Sequence, residues 1–377
     1  MGRADEDHHA GVRLQGRPGG CGRLRREART ELDRHLGIND VTNRRFVWFE
    51  LFYDLVVVAA LVNGAHLFEE SPTVTLGNWL GATLAVMLVL WMLTALHANL
   101  YHSDDWPRRT LVLIQMFSIT IALLAIGRKS DSLADGVGFV ALGIAFLSIA
   151  LMYALSGRFR HRGEARLVTW AMGLGGVIFL AGAPFAESGA WVEGSIFAAG
   201  ALIGCVPMYW ILLGRIVRER KVDVEHFSDR LGELLVIVLA ESFVEVMIRL
   251  DGFTHIPNPP VLIAAFLVAF VAWVCYFTLI GPRRIPLGVG PLRVWFLAYY
   301  LLIFGLMAVA SRFGLLVVKP WHETFTVSVF WTVMPLLYVA LALFALWQIS
   351  RRYASAPQMI MSQGSGAARA SRPNRRA

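Results

Sequence analysis

Long apolar segments divide this chain, and they constrain its fold more than any single residue does. A helix needs about 18 or more apolar residues to cross a bilayer. Only helices and closed barrels satisfy their backbone groups in lipid, so the pattern predicts an all-α, polytopic membrane protein. Ten such segments occur, at 46–68, 77–101, 110–127, 136–155, 166–185, 194–215, 229–249, 260–280, 292–312 and 324–348.

The composition argues against a soluble protein. Of the 377 residues, 56% are hydrophobic and 16% are charged, whereas charged residues make up about 25% of a typical soluble domain. The net charge of +8 does not indicate nucleic-acid binding, because most basic residues lie in the two tails and in alternate short loops. We expect the lipid bilayer as a partner and no nucleic acid. The 3 cysteines have neither paired nor metal-ligand spacing, so we expect no disulfide, metal site or cofactor.

The charges of the short loops predict an orientation. Basic residues concentrate on the side of membrane-protein loops that stays in the cytoplasm. Ten spans with both termini cytoplasmic fit this rule, since the loops on the N-terminal side are the more basic. We expect residues 1–43 and 351–377 to be disordered basic tails around a transmembrane domain at 44–350. The basic loop residues on the N-terminal side are Arg108, Arg109, Arg158, Arg160, Arg162, Arg166, Arg215, Arg218, Arg220, Lys221, Arg283 and Arg284.

The first span carries two carboxylates. Glu50 and Asp54 are four residues apart, which places them on one face of a helix, where like charges repel. Each costs about 2.5 to 3.5 kcal/mol at the centre of a bilayer, so a neutralising partner or water is required. His66 lies near the other end of the span and can relay protons or bond to a backbone carbonyl. For Glu50 and Asp229, an interfacial carboxylate that pairs with a loop arginine, such as Arg44, Arg45 or Arg230, is an equally good interpretation.

The seventh span resembles the first, which predicts a two-fold internal repeat. The halves would be about 44–155 and 225–348, with 156–224 inserted between them. A shift of 179 positions aligns Glu50 with Asp229, Asp54 with Glu233, Asn63 with Ser242 and His66 with Glu245.

Further polar residues on the spans complete the set of candidates. Glu241 is the most deeply placed carboxylate, about 18 Å into its helix. Intramembrane ionisable groups usually face a cavity or a partner. For Ser242 and His97, a hydrogen bond between helices is an alternative to a role in binding. The candidate substrate- or ion-binding residues are Glu50, Asp54, His66, His97, Glu233, Glu241, Ser242 and Glu245.

Two motifs resemble the bacterial low temperature requirement protein A (LtrA) family. They are Glu50-Leu-Phe-Tyr-Asp54-Leu-Val-Val-Val and the block from His226 to Ser242. Family members usually read Glu-Leu-Phe-Phe-Asp-Leu-Val-Phe-Val, and Glu-Arg-Phe-Gly-Leu followed by Gly-Glu-Ser. This chain departs at Asp229, Glu233 and Ala240, which replace Glu, Leu and Gly. The resemblance covers 44–350 and implies a bacterial membrane protein, which we place in the inner membrane, but it implies no particular activity.

Four functions are compatible with these features. The first is a secondary transporter, or an ion-coupled protein, whose intramembrane carboxylates bind a small cation or a proton. The second is a cation channel, and Glu50-Leu-Phe-Tyr-Asp54 also resembles the Phe-Ser-Asp signature of the lysosomal potassium-channel family, without its preceding Arg. The third is an intramembrane enzyme that acts on a lipid or isoprenoid through general acid and base catalysis. The fourth is a structural or sensory membrane protein.

Overall fold

Ten helical rods make up the part of the chain that the structure, a computed structural model, describes. This part comprises residues 49–60, 62, 74–101, 105–126, 136–156, 162–219, 223–281, 286, 288–318 and 329–354. It contains no strand, which confirms the predicted all-α fold class. His66 and the predicted tails lie outside the described residues, except that 351–354 of the C-terminal tail form the end of the last helix.

The helices follow the predicted spans closely. The first, α1, is helical over 49–60 and again at 62. The others are α2 (Val74–Tyr101), α3 (Trp106–Ile126), α4 (Gly136–Ser156), α5 (Arg162–Gly182), α6 (Ala190–Pro207), α7 (Leu213–Glu219), α8 (Val224–Leu250), α9 (Pro259–Val274), α10 (Val289–Val317) and α11 (Val329–Ala354).

Two rods contain a π-helical turn. The turn Met208–Leu212 joins α6 to α7, and the turn Cys275–Ile280 extends α9. Pro207 immediately precedes the first of them and cannot donate a backbone hydrogen bond. The wider turn changes the direction in which side chains leave the helix, and it carries Tyr209 and Trp210.

Eight of the rods are long and apolar enough to cross a membrane. The chain is therefore a multi-pass integral membrane protein. The two rods outside this group are α1, of which only a short part is described, and α8, which is long enough but carries seven charged residues. Membrane crossing by these two, and with it a total of ten spans, remains a prediction, as does the internal repeat.

Helix α2 occupies the centre of the described structure. Every residue from 91 to 100 is buried, which agrees with apolar side chains that point in all directions rather than along one stripe. Its side chains or carbonyls bond to five other helices: Trp91 to Asp54 on α1, Thr94 to Gln115 on α3, Leu93 to Tyr153 on α4, Asn99 to Asp223 at the start of α8, and Gly81 to Tyr300 on α10. Helix α2 therefore links helices from both ends of the chain through polar contacts.

Small residues bring α5 and α6 close together. A Cβ atom on Gly175 would lie 2.9 Å from the carbonyl oxygen of Gly200. One on Gly200 would lie 2.7 Å from the ring of Phe179. Side chains at these positions would push the helices apart, so glycine sets the distance between them.

Candidate functional site

The carboxylates of α1 meet α8 in a group that we call the Arg230 cluster, comprising Glu50, Asp54, Arg108, Arg230 and Glu233. It lies on the side of the protein that we predict to be cytoplasmic. Arg108 is at the start of α3, and the other residues come from α1 and α8. The cluster thus joins three helices of the bundle.

A polar contact at the start of α8 sets the height of the cluster. Asn99 donates its side-chain amide to the Asp223 carbonyl at 2.9 Å and accepts from the Asp223 backbone N–H at 2.9 Å. Asp223 also caps α8 by accepting from the backbone N–H groups of Glu225 and His226. Arg230 then lies about 10 Å along α8, and Trp91 about 12 Å along α2, from this contact. The two side chains reach the same level and meet at Asp54.

Asp54 is the most buried acid of the cluster, with 0% of its side chain exposed. Its Oδ1 accepts hydrogen bonds from the indole Nε1 of Trp91 at 2.6 Å and from Nη2 of Arg230 at 2.8 Å. Its Oδ2 is also buried but has no hydrogen-bond partner among the described residues. Buried polar atoms nearly always have partners, so an oxygen without one requires an explanation.

Arg230 contacts three carboxylates at once. It donates to Asp54 through Nη2 and to Glu233 through Nη1, the latter at 2.6 Å. Its Nε lies 3.5 Å from Oε2 of Glu50. Glu50 also receives a hydrogen bond of 3.4 Å from Nη2 of Arg108. The guanidinium of Arg230 is buried, so these contacts are only weakly screened by water.

The formal charges of the Arg230 cluster do not balance. Among the described residues, three carboxylates face two guanidinium groups, which leaves one negative charge. His226 lies next to the cluster, with its Nε2 at 3.9 Å from Oε2 of Glu50, and 38% of its side chain is exposed. One proton, on a carboxylate or on His226, would make the local charge zero.

A second buried network lies beside the cluster and is neutral. Gln115 donates to the Tyr53 hydroxyl at 2.7 Å, and the Thr94 hydroxyl lies 3.0 Å from the side-chain oxygen of Gln115. Tyr53 immediately precedes Asp54, so the two side chains leave α1 about 100 degrees apart. We call this group, Tyr53, Thr94 and Gln115, the Tyr53 network.

The structure brings together three of the residues predicted from the sequence: Glu50, Asp54 and Glu233. His97 is buried elsewhere, where its Nε2 lies 2.8 Å from the Ser156 hydroxyl and its ring packs against Tyr101 and Tyr153. These contacts join α2 to α4.

The other candidates on α8 lie farther along the helix. Glu241 is half-buried and eleven residues from Arg230, which is about 16 Å along the axis. Ser242 donates to the Val238 carbonyl of its own helix at 2.9 Å. Glu245 is buried and pairs with Arg249 at 2.9 Å. A function shared by these residues and the Arg230 cluster remains a prediction.

Trp91 is not among the residues predicted from the sequence. Arg108 was expected in a basic loop, and Arg230 was expected only as a surface partner of a carboxylate. One signal was available: His226, Arg230 and Glu233 are spaced at i, i+4 and i+7, which places them on one face of a helix. Trp91 gave no comparable signal, because a tryptophan within an apolar span is usually a packing residue.

The comparisons with known proteins identify the family. The chain matches bacterial low temperature requirement A protein (LtrA) over residues 45–371. It belongs to the LtrA family. The match includes the whole Arg230 cluster and confirms the resemblance drawn from the two motifs. No curated protein and no solved structure matches the chain.

Proposed function

We propose that this LtrA protein is a proton-coupled membrane protein, most simply a secondary transporter, and that the Arg230 cluster binds the coupling proton. The observation that carries the proposal is the buried Oδ2 of Asp54, which has no hydrogen-bond partner within the described part of the chain. A proton bound to Asp54 would remove a charge that is costly within a bilayer. The negative charge left on the cluster favours the same event.

A proton fits this site better than a metal cation does. Nη2 of Arg230 lies 2.8 Å from Oδ1 of Asp54, so a metal ion on this carboxylate would be repelled by a guanidinium at close range. A proton instead neutralises the carboxylate and introduces no second cation. Of the two expected ligands, a small cation or a proton, we therefore propose the proton.

His226 offers a route between the cluster and water. It is half-exposed and lies next to Glu50 in the first turn of α8. An imidazole titrates near neutral pH and can pass a proton to a carboxylate. Glu50 and Asp54 lie one turn apart on α1 and both contact Arg230. The guanidinium cannot carry the proton, so the proton passes from the Glu50 carboxyl to the Asp54 carboxylate, directly or through one water, when Arg230 moves aside. We place His226 and both termini in the cytoplasm, and the protein in the bacterial inner membrane.

Protonation of Asp54 would also alter the contact between α1 and α8. Neutral Asp54 would hold Arg230 less strongly, while Glu233 on α8 would keep its full charge. Arg230 would then be bound mainly by its own helix, and the link between α1 and α8 would weaken. A ligand that binds one of two arrangements more tightly shifts their populations, so a proton can drive a conformational change here.

The alternative functions receive less support from the described residues. A cation channel needs a wet path past the carboxylates, but Asp54 and Arg230 are both buried and in direct contact. A lipid-modifying enzyme needs an acid and a base facing its substrate. The apolar groove beside Trp91, described below, has no carboxylate or histidine among its described lining residues.

Proton flux into proteoliposomes tests the proposal. Purified protein would be reconstituted with a pH-sensitive dye inside the vesicles, and a pH gradient and a membrane potential would be imposed separately. We expect flux with the wild-type protein and at least a tenfold loss with Asp54→Asn. Asp229→Asn is the matched control, because it makes the same chemical change at an exposed position of α8.

Two results would contradict the proposal. One is a wild-type protein that moves no protons under either gradient. The other is Asp54→Asn flux equal to that of the wild type. Size-exclusion profiles of each variant before reconstitution separate loss of function from loss of fold, and Glu50→Gln provides a second variant of the cluster if Asp54→Asn does not fold.

A further inference from the structure

An apolar groove lies beside Trp91, whose indole N–H bonds to Asp54 of the Arg230 cluster. Its volume is about 350 Å³, and it is lined by residues of α2, the α6–α7 rod, α8 and α10. This volume is at the lower end of the range for small-molecule sites, about 300 to 1,000 Å³. The back wall is formed by Trp91, Leu231 and Tyr299, all of which are buried.

The groove opens toward the bilayer. Its rim includes Val206, Trp210 and Leu297, whose side chains are 40%, 56% and 50% exposed. In a membrane protein, exposed apolar side chains on spanning helices face hydrocarbon. A lipid can therefore enter the groove sideways from the membrane.

A positive charge lies at one end of the groove. Arg293 stacks on the ring of Trp210, with its Cζ 4.4 Å from the ring centre, and donates from Nη2 to the Trp210 carbonyl. It lies on the same face of α10 as Leu297 and Tyr300, which line the groove one and two turns farther along. Within the described residues no carboxylate is in ion-pair range of Arg293, and its Nε has no hydrogen-bond partner.

The other end of the groove is closed by protein. The Tyr300 hydroxyl donates to the Gly81 carbonyl at 2.8 Å, which joins α10 to α2. An occupant therefore has its charged end at Arg293 and its apolar end toward Tyr300. The groove has one polar end and apolar walls.

We propose that the groove binds an anionic phospholipid, with one acyl chain against Trp91 and the phosphate at Arg293. The guanidinium of arginine presents a planar fork of donors that matches a phosphate. The walls have the polarity of a hydrocarbon chain. This site goes beyond the proposed proton coupling and does not depend on it, although Trp91 contributes to both sites.

Native mass spectrometry of the full-length protein tests the lipid site. Delipidated protein would be mixed with equal amounts of dioleoyl phosphatidylglycerol and dioleoyl phosphatidylcholine. We expect the wild type to retain the anionic lipid about tenfold better, because both lipids carry a phosphate but the choline cation of phosphatidylcholine cancels its charge and is repelled by Arg293. Arg293→Gln should remove this preference, and Arg293→Lys should retain part of it.

A second pair of variants tests the groove itself. Ala85→Trp places a large ring in the groove and should reduce the binding of both lipids. Ala340→Trp makes the same change at an exposed position of α11, outside the groove, and should not. Equal lipid binding by these two variants, or an unchanged preference in Arg293→Gln, would overturn the proposal. If soluble glycerol phosphate competes effectively, the site binds phosphate without any contribution from the acyl chain. That result would also overturn the proposal.

A measurement on the wild type removes the dependence on variant folding. Phosphatidylglycerol with a photoreactive group on its acyl chain would be crosslinked to the protein in vesicles, and the labelled peptides would be mapped. We expect label on the segment 206–210 and on the segment 296–300. Label spread evenly over other exposed apolar residues, such as Phe266 and Phe270 of α9, would contradict a specific groove.

Discussion

Two adjacent residues of α1, Tyr53 and Asp54, reach buried networks of different kinds. The Tyr53 network is neutral, and its hydroxyl and amide groups bond to one another or to the backbone. The Arg230 cluster is ionic, has one formal negative charge left over, and contains a buried oxygen of Asp54 that lacks a described hydrogen-bond partner. Both residues are buried to nearly the same extent. Burial alone therefore does not distinguish a structural polar network from a functional one.

The difference lies in what each network costs. A neutral network whose groups are satisfied fixes how helices pack and carries little penalty. Buried ions lose their hydration, and their mutual attraction compensates for this only when the geometry is excellent. The Arg230 cluster has surplus acid and an incompletely bonded carboxylate, so stability alone does not account for it. Substitutions that remove one group from either network distinguish the two.

Arg230→Ala should destabilise the protein most. It leaves three carboxylates with Arg108 as the one arginine in contact among the described residues, and removing one partner of a buried ion pair costs about 3 to 5 kcal/mol. Chemical unfolding in detergent micelles measures this change. Arg166→Ala is the control, because Arg166 is exposed on α5, and it should change stability by less than about 0.5 kcal/mol. Similar stabilities of the two variants would show that the cluster does not join the helices as inferred.

Trp91→Phe should weaken the cluster while keeping an aromatic ring on α2. The change removes the N–H that bonds to Asp54 at 2.6 Å, and a hydrogen bond to a charged group contributes about 1.5 to 3 kcal/mol. We expect lower stability and lower proton flux, because Asp54 is then positioned by Arg230 alone. Trp170→Phe, at an exposed position of α5, should change neither. Unaltered flux in Trp91→Phe would show that the indole does not position Asp54.

Tyr53→Phe should affect stability but not proton flux per folded molecule. It removes the hydroxyl that accepts from Gln115 at 2.7 Å, and an unsatisfied buried donor costs about 1 to 3 kcal/mol. The double variant Tyr53→Phe with Gln115→Leu should regain most of this stability, because both polar partners are then absent. A loss of flux in the single variant that the double variant does not restore would contradict the assignment of a purely structural role to the Tyr53 network.

The fold was largely predictable from the sequence. Apolar segments predicted the helices, because backbone groups in lipid leave few alternatives. The charged helix α8 is less easily placed, since hydropathy alone does not distinguish a spanning helix stabilised by partners on other helices from one that stays outside the membrane. Its contacts with α1 and α2 provide these partners.

The site was only partly predictable. The four-residue spacing of Glu50 and Asp54 indicated a shared face and the need for a neutralising partner, and the structure supplies Arg230 and Arg108. The identity of the partner could not be read from spacing, because Asp54 and Arg230 are 176 residues apart in the chain. Which carboxylate of α8 joins Asp54 depends on the relative height of two helices. The contact between Asn99 and Asp223 sets that height, and no local sequence pattern reveals it.

Glu233→Leu should have the smallest effect on stability and gives the sharpest test of where the proton binds. Glu233 is 36% exposed, so its ion pair with Arg230 contributes no more than about 1 kcal/mol. Leucine is the residue usual at this place in the LtrA motif, and the change brings the formal charge of the cluster to zero. If Asp54 binds the proton, flux should persist, but half-maximal flux should require a lower pH, because a nearby negative charge no longer favours proton binding. The matched control is Glu225→Gln, because Glu225 is an exposed acid in the first turn of α8. This change should not alter the pH of half-maximal flux. Complete loss of flux in Glu233→Leu would instead assign the proton to Glu233, and the unpaired oxygen of Asp54 would then need another explanation.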